Sequence, residues 1–251
     1  MRNAESEQQG NSMITDERRF EFEAAIRRDV PRNVFVEVKE QFPLAAEQAD
    51  VAVRSSHDAV TNGVTLSRPR QSKAIGLVRH QITDEVFEQV LLRNGGEFVK
   101  SVPVEYKPDE LEDAQVHLTT GLFGHTMVGF ASHRELMDAP VKNASRRALC
   151  YQNRGLSPDF FHPPEMFSDR KRLVLIMVRR DPSVLGKIAS MTVSVLDSKL
   201  EAFLYQCDIE DFLAGYGTAP VSAKAPPVLK AVAGSYKASR GSENAAANND
   251  R

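Results

Sequence analysis

The side chains with the most chemical potential in this chain are cations. Residues 134–187 carry eleven Lys/Arg against six Asp/Glu, although the whole chain has a net charge of -2. Arg146, Arg147, Arg154 and Arg170-Lys171-Arg172 are interleaved there with Tyr151, Phe160, Phe161 and His162. Cations alternating with aromatic rings suit a phosphate backbone with stacked bases, or an acidic protein surface. The competing reading makes the charges gatekeepers beside the apolar strand that begins at Leu173, with Phe160 and Phe161 in the core. A second set is His117, His125 and His133, spaced by eight residues. Imidazoles on neighbouring strands can bind Zn²⁺. However, no dense ligand spacing such as His-x₃-His or Cys-x₂-Cys accompanies them, so they read as surface or hydrogen-bonded histidines and no metal is assigned. Cys150 and Cys207 are far apart, the first beside Leu149 and Tyr151 and the second closing an expected strand, as small buried hydrophobes are. Gly95-Gly96 closes a helical pattern instead of opening one, which is the wrong geometry for a phosphate loop.

One further constellation is Asp29 followed by Val34-Phe-Val-Glu37-Val-Lys39. An apolar segment carrying Glu-x-Lys behind an Asp resembles the core signature of PD-(D/E)xK nucleases, over about ten residues. The resemblance implies that Asp29 and Glu37 hold Mg²⁺ while Lys39 orients or activates the attacking water. Such a site needs residues 33–42 to be a strand, so that Glu37 and Lys39 share a face. The alternative is an amphipathic helix that exposes Glu37, Lys39 and Glu40. Phe35, Val38, Phe42 and Ala45 have helical spacing, whereas Val34 to Val38 is β-branched and strand-like.

These residues must be positioned by the elements around them. Leu173 to Val178 is apolar at every position and reads as a strand covered on both faces. Ile188 to Leu196 alternates, with Met191, Val193 and Val195 on one side and Ser190, Thr192 and Ser194 on the other. Glu201 to Gln206 follows a short turn, and connections this brief make the three strands antiparallel. Ile209, Phe212, Leu213 and Tyr216 then mark a helix with Asp208 as N-cap and Gly217 as stop. Upstream, Phe22 and Ile26 mark a helix ending before Pro31. Residues 49–61 read as helical, and Pro43 is expected to break or restart any helix that spans it. A helix over about 70–93 carries the stripe Ile75, Val78, Ile82, Val86 and Val90. Strands are expected at 98–106, 115–122 and 125–132, the last two meeting in a hairpin at Gly121 to Gly124. Residues 134–170 contain four prolines and read as a long irregular connection.

Hydrophobic content of 41% and charged content of 26% are ordinary for a globular chain, while a mean hydropathy of -0.36 leans polar and suggests that part of the chain is not packed. Its longest apolar run falls far short of the roughly 20 residues a membrane helix needs. No secretory leader is visible at the N-terminus, so a cytoplasmic, reducing setting is expected and no membrane partner. Residues 1–14 and 218–251 are expected to be disordered tails, polar in the first case and rich in Ala, Ser, Pro and Asn in the second. The expected fold is therefore a single α+β domain over 15–217. Its helical half, 15–95, packs on a mostly antiparallel sheet of five to six strands in 96–217. The leading functional expectation is a non-enzymatic interaction module for a protein or nucleic acid, bound through Arg146, Arg147, Tyr151, Arg154, Arg170, Lys171 and Arg172. Its alternatives are an Mg²⁺-dependent nuclease using Asp29, Glu37 and Lys39, and an assembly component that pairs through an open sheet edge. Apart from that Mg²⁺, no cofactor is expected.

Overall fold

The computed structural model describes residues 16–60, 67–99, 118–133, 139–140, 144–157, 163–184 and 186–217. The expected disordered tails, the strand beyond Val99, His117, and the ring-bearing segment Phe160 to His162 lie outside these residues. All described residues belong to the first of two compact units, Met1–Ala219. The fold is α+β. No helix among the described residues is long and apolar enough to cross a membrane.

Three helices come first: α1 (Asp16–Asp29), α2 (Arg32–Val60) and α3 (Arg68–Arg93). Acidic Asp16 and Glu17 open α1, basic Arg27 and Arg28 close it, and each set of charges complements the helix dipole at its end. Phe22, Ala25 and Ile26 form its buried stripe. Helix α2 resolves the ambiguity at residues 33–42, which are helical throughout. Val34, Phe35, Val38, Phe42, Ala45, Ala46 and Ala49 recur at three and four and are all buried. That stripe runs unbroken across Pro43, which lies inside the helix and does not end it. Burying each of its large side chains contributes about 1.5–3 kcal/mol, which together outweigh the roughly 3 kcal/mol cost of an internal proline. In α3 the buried positions are Ile75, Thr83, Phe87, Val90 and Leu91. The expected stripe through Val78 and Ile82 is thus rotated toward Phe87 and Leu91, and Val86 is only partly covered.

The six strands are β1 (Glu97–Val99), β2 (Thr120–Phe123), β3 (Thr126–His133), β4 (Arg172–Arg180), β5 (Ile188–Leu196) and β6 (Phe203–Asp208). They lie side by side in chain order, and every neighbouring pair is antiparallel except β3 and β4. Those two run parallel over eight residue pairs, from Thr126 opposite Arg172 to His133 opposite Arg179. A parallel pair requires a crossover, so the stretch read as an irregular loop returns the chain along the sheet. It contains the helix α4 (Ala144–Cys150) and two single turns of 3₁₀ helix, Tyr151–Asn153 and Phe167–Asp169.

The crossover gives the sheet a second covered face. Val174, Ile176 and Val178 of β4 pack with α1, α2, α3 and a last helix, α5 (Ile209–Ala214). Leu173, Leu175 and Met177 pack with Ala148, Leu149 and Cys150 of α4. That is why β4 is apolar at every central position. Strand β5 is buried on both faces from Met191 onward: Met191, Val193 and Val195 join the helical layer, while on the other side Leu196 joins the α4 cluster and the buried Thr192 and Ser194 hydroxyls lie 3.1 Å apart. Asp208 caps α5 by accepting from the Glu210 amide at 2.8 Å. An aromatic cluster joins the layers, with Phe42, Phe87 and Phe130 meeting edge to face at centroid distances of 5.1–5.9 Å.

Candidate anion-binding pocket

Helix α3 projects Arg70, Lys73, Leu77 and His80 at intervals of three or four, so these side chains share one face of its N-terminal half. Beneath that face are Phe130, Ala131 and Ser132 near the end of β3, and across from it stand Arg146 of α4 and Arg180 at the end of β4. Together they line a cavity of about 660 Å³. No carboxylate is among its lining residues that the structure describes. Arg180 lies against α3 beside Gly76, where a Cβ would stand in ordinary contact 3.9 Å from its Nη1. Its Nη2 donates to Ser132 Oγ at a long 3.5 Å. Edge-on to the Phe130 ring, with centroids 6.2 Å apart, sits His80.

The electrostatics of the cavity follow from cations gathered around a partly open concavity, with Arg70, Lys73 and Arg180 exposed and Arg146 half-buried. Burial lowers the pKa of Arg180. It does the same to Arg146, slightly opposed by Cys150. Arg79, behind the lining, is pulled down to about 10, by burial first and then by repulsion from Arg180. All three stay protonated at neutral pH, so the cavity holds cationic charge in partly desolvated form. The neighbouring Cys150 thiol is pushed up by burial and then by Asp197, which makes it inert as a nucleophile.

The basic stretch anticipated as one loop surface divides between two places. Arg146 alone of its named cations lines the cavity. Arg170 and Arg172 sit at the opposite end of β4 from Arg180, about 26 Å away at 3.3 Å per residue. Arg172 corrects the expectation of a contact residue, because its side chain is 0% exposed. Its guanidinium donates to the Gln152 carbonyl at 2.8 Å, the Arg154 carbonyl at 2.6 Å and Glu165 at 2.6 Å. It is a buried staple between strand and crossover, and the local need for carbonyl partners explains the cation there. Arg170 pairs with Glu165 at 2.8 Å, and Arg154 lies over the Tyr151 ring at 4.8 Å. Arg147 is half-buried on α4 and Lys171 is exposed.

The Asp29, Glu37 and Lys39 set is also dispersed, and the strand that a nuclease site needs is a helix. Two residues apart on α2, Glu37 and Lys39 point about 200° from each other. Asp29 accepts from the His125 amide and the Thr126 hydroxyl, both at 3.1 Å, and so anchors the β2–β3 turn to α1. Glu37 accepts from Arg93 at 2.6 Å and Asn94 at 2.9 Å, closing the end of α3 onto α2. Lys39 pairs with Glu210 of α5. Each is occupied in tying elements together. His125 lies exposed in the turn and His133 is buried at the end of β3. Among the described residues no group of three or more His, Cys, Asp or Glu could hold a metal ion.

Residue spacing in α3 could have revealed Arg70, Lys73 and His80 as a shared face. Their convergence with Arg146 and Arg180 could not be read, because it depends on the parallel return of β4. The chain matches no family model, and no similar protein was found among the curated proteins or the solved structures.

Proposed function

We propose that the protein is a non-enzymatic interaction module that receives an anionic group of a nucleic acid or protein partner. Its receiving site is the cavity between α3, α4 and the ends of β3 and β4. One observation carries the reading: four cations from three separate elements converge on a concavity whose described lining residues include no carboxylate. Burial lowers the pKa of the Arg180 guanidinium, and an incoming phosphate or carboxylate offsets the cost of that burial through charge-assisted hydrogen bonds. The location adds support, since sheets with parallel strands tend to bind ligands beyond the carboxyl ends of those strands. Arg146 is the one cation that this site shares with the basic loop legible in the sequence. The two free, buried cysteines suit a reducing, cytoplasmic setting for such a module.

The test is fluorescence anisotropy of a labelled single-stranded oligonucleotide and a labelled polyglutamate peptide, at about 50 and 200 mM salt. The wild type is expected to bind at least one, with affinity falling as salt rises. An Arg146→Ala/Arg180→Ala double variant should bind about tenfold or more weakly, which is about 1.4 kcal/mol. Wild-type affinity in the double variant, or no binding of either probe by the wild type, defeats the proposal.

A further inference from the structure

The cavity has two chemically different sides. One is cationic, and the other is an apolar wall that includes Leu77, Leu118, Phe130 and Ala131. Leu77 is 62% exposed, although its helix buries large apolar residues elsewhere. A bare inorganic anion would leave Leu77 and the half-buried Leu118 wet. The cavity of about 660 Å³ also exceeds by about twentyfold the roughly 30 Å³ that one water occupies in the liquid. It falls within the range of roughly 300–1,000 Å³ typical of sites that enclose whole small molecules.

The charged side constrains the head group. A lone carboxylate brings a single charge and two acceptor oxygens to a lining that includes Arg70, Lys73 and Arg180. A phosphate monoester brings a charge of roughly -1.5 to -2 near neutral pH and three strong acceptor oxygens. Guanidinium forks match phosphate oxygens in pairs, whereas an ammonium acts as a point charge. Arg180 keeps its fork available, since the contact to Ser132 is long, and Arg70 and Lys73 stand one turn apart on the facing helix.

From this juxtaposition we infer that the cavity takes a phosphate monoester with a compact apolar or aromatic body, the chemistry of a nucleotide. Its phosphate sits among Arg146, Arg180, Arg70 and Lys73, and its body lies against Leu77 and Phe130. The inference rests on the reading of the cavity as the binding site. Such a group can come from a free mononucleotide or from the phosphorylated end of a nucleic-acid strand.

Isothermal titration calorimetry on the full chain at low salt tests it. The probes are adenosine monophosphate, adenosine, inorganic phosphate, decanoate, and a short single strand with and without a 5′-phosphate. The expected result is that adenosine monophosphate binds at least tenfold more tightly than adenosine, inorganic phosphate or decanoate. Arg180→Met and Lys73→Met should each weaken it about tenfold, and Lys73, on the surface of α3, can be replaced without unfolding the core. A 5′-phosphorylated strand that binds more tightly than the mononucleotide assigns the strand end as the source, and the reverse order assigns the free nucleotide. No binding of adenosine monophosphate, or inorganic phosphate or decanoate binding equally well, overturns the inference. If that happens while the oligonucleotide or polyglutamate still binds in a manner dependent on Arg146 and Arg180, only the ligand assignment falls. Loss of both removes the cavity reading as well.

Discussion

Asn153 offers the sharpest test of how the crossover is held to the sheet. The β4–β5 ladder is paired as far as Leu175 opposite Ser194, and the next rung would join Leu173 to Leu196. The Asn153 side chain takes that place. Its Nδ2 donates to the Leu173 carbonyl at 3.0 Å and the Leu196 carbonyl at 2.8 Å, and its Oδ1 accepts from the Leu173 amide at 2.8 Å. Asn153, Leu173 and Leu196 are each only 1% exposed. Asn153→Ala therefore leaves one buried donor and two buried acceptors without their partner. Each unsatisfied buried group costs about 1–3 kcal/mol. Some relaxation or an entering water recovers part of this, so we expect a loss of about 3–5 kcal/mol, set against a typical total stability of about 5–15 kcal/mol. The assay is equilibrium urea unfolding followed by far-ultraviolet circular dichroism. With a slope near 2 kcal/mol per M, the midpoint should fall by about 1.5–2.5 M. Asn153→Asp retains the acceptor for the Leu173 amide but turns a carboxylate toward two carbonyls. It should be at least as damaging at neutral pH and recover partly in acid, where the protonated carboxyl can donate. A loss below about 1 kcal/mol in the Ala variant refutes the rung-bridging role.

Three other outcomes follow from the packing. In Gly121→Ala the new Cβ would lie 2.8 Å from Leu91 Cδ2 in the fully buried contact between α3 and β2. Overpacking of this kind costs about 1–3 kcal/mol, or about 3–10 °C in Tm for a domain of this size, and an unchanged Tm would contradict the contact. Burial alone would raise the Glu37 carboxyl, but the bonds from Asn94 and Arg93 outweigh it and hold the group below its ordinary value of 4.5. Its stabilisation is thus fully present above that value and is lost as pH falls through the lower folded value. Glu37→Gln should accordingly flatten the acid limb of a Tm-against-pH curve, and an identical limb in both proteins would show that Glu37 is uncoupled from folding. Cys150, completely buried at the end of α4, should resist a disulfide thiol reagent in native Cys207→Ser protein and react on unfolding. Rapid labelling in the native state would place it elsewhere.

Much of the architecture was legible because single elements announce themselves. The run Leu173 to Val178 demands cover on two faces, whereas the alternation in Ile188 to Leu196 marks one apolar face although the fold covers Thr192 and Ser194 on the other as well. Asp208 and the spacing of Ile209, Phe212 and Leu213 specify a capped helix without reference to anything distant. Residues 33–42 were not legible in the same way. β-branched residues favour a strand locally, but the stripe from Val34 to Ala49 stabilises a helix only once α3 and the sheet are there to bury it, and that tertiary term overrides both the β preference and Pro43.

The candidate site divides along the same line. Sequence by itself determined that cations concentrate between residues 134 and 187, and that β4 must be buried on both sides. Tertiary structure decided which cations face a cavity and which staple the fold. Arg172 and Arg146 are the same residue type in the same basic stretch, yet one is spent on carbonyls of the crossover and the other lines a pocket beside residues of α3. The difference arises from the parallel return of β4 along β3. That pairing puts the two ends of the strand about 26 Å apart and sets α4 opposite α3. Strand pairing between segments distant in the chain leaves no periodic signal, because its stabilisation appears only after the chain has closed on itself.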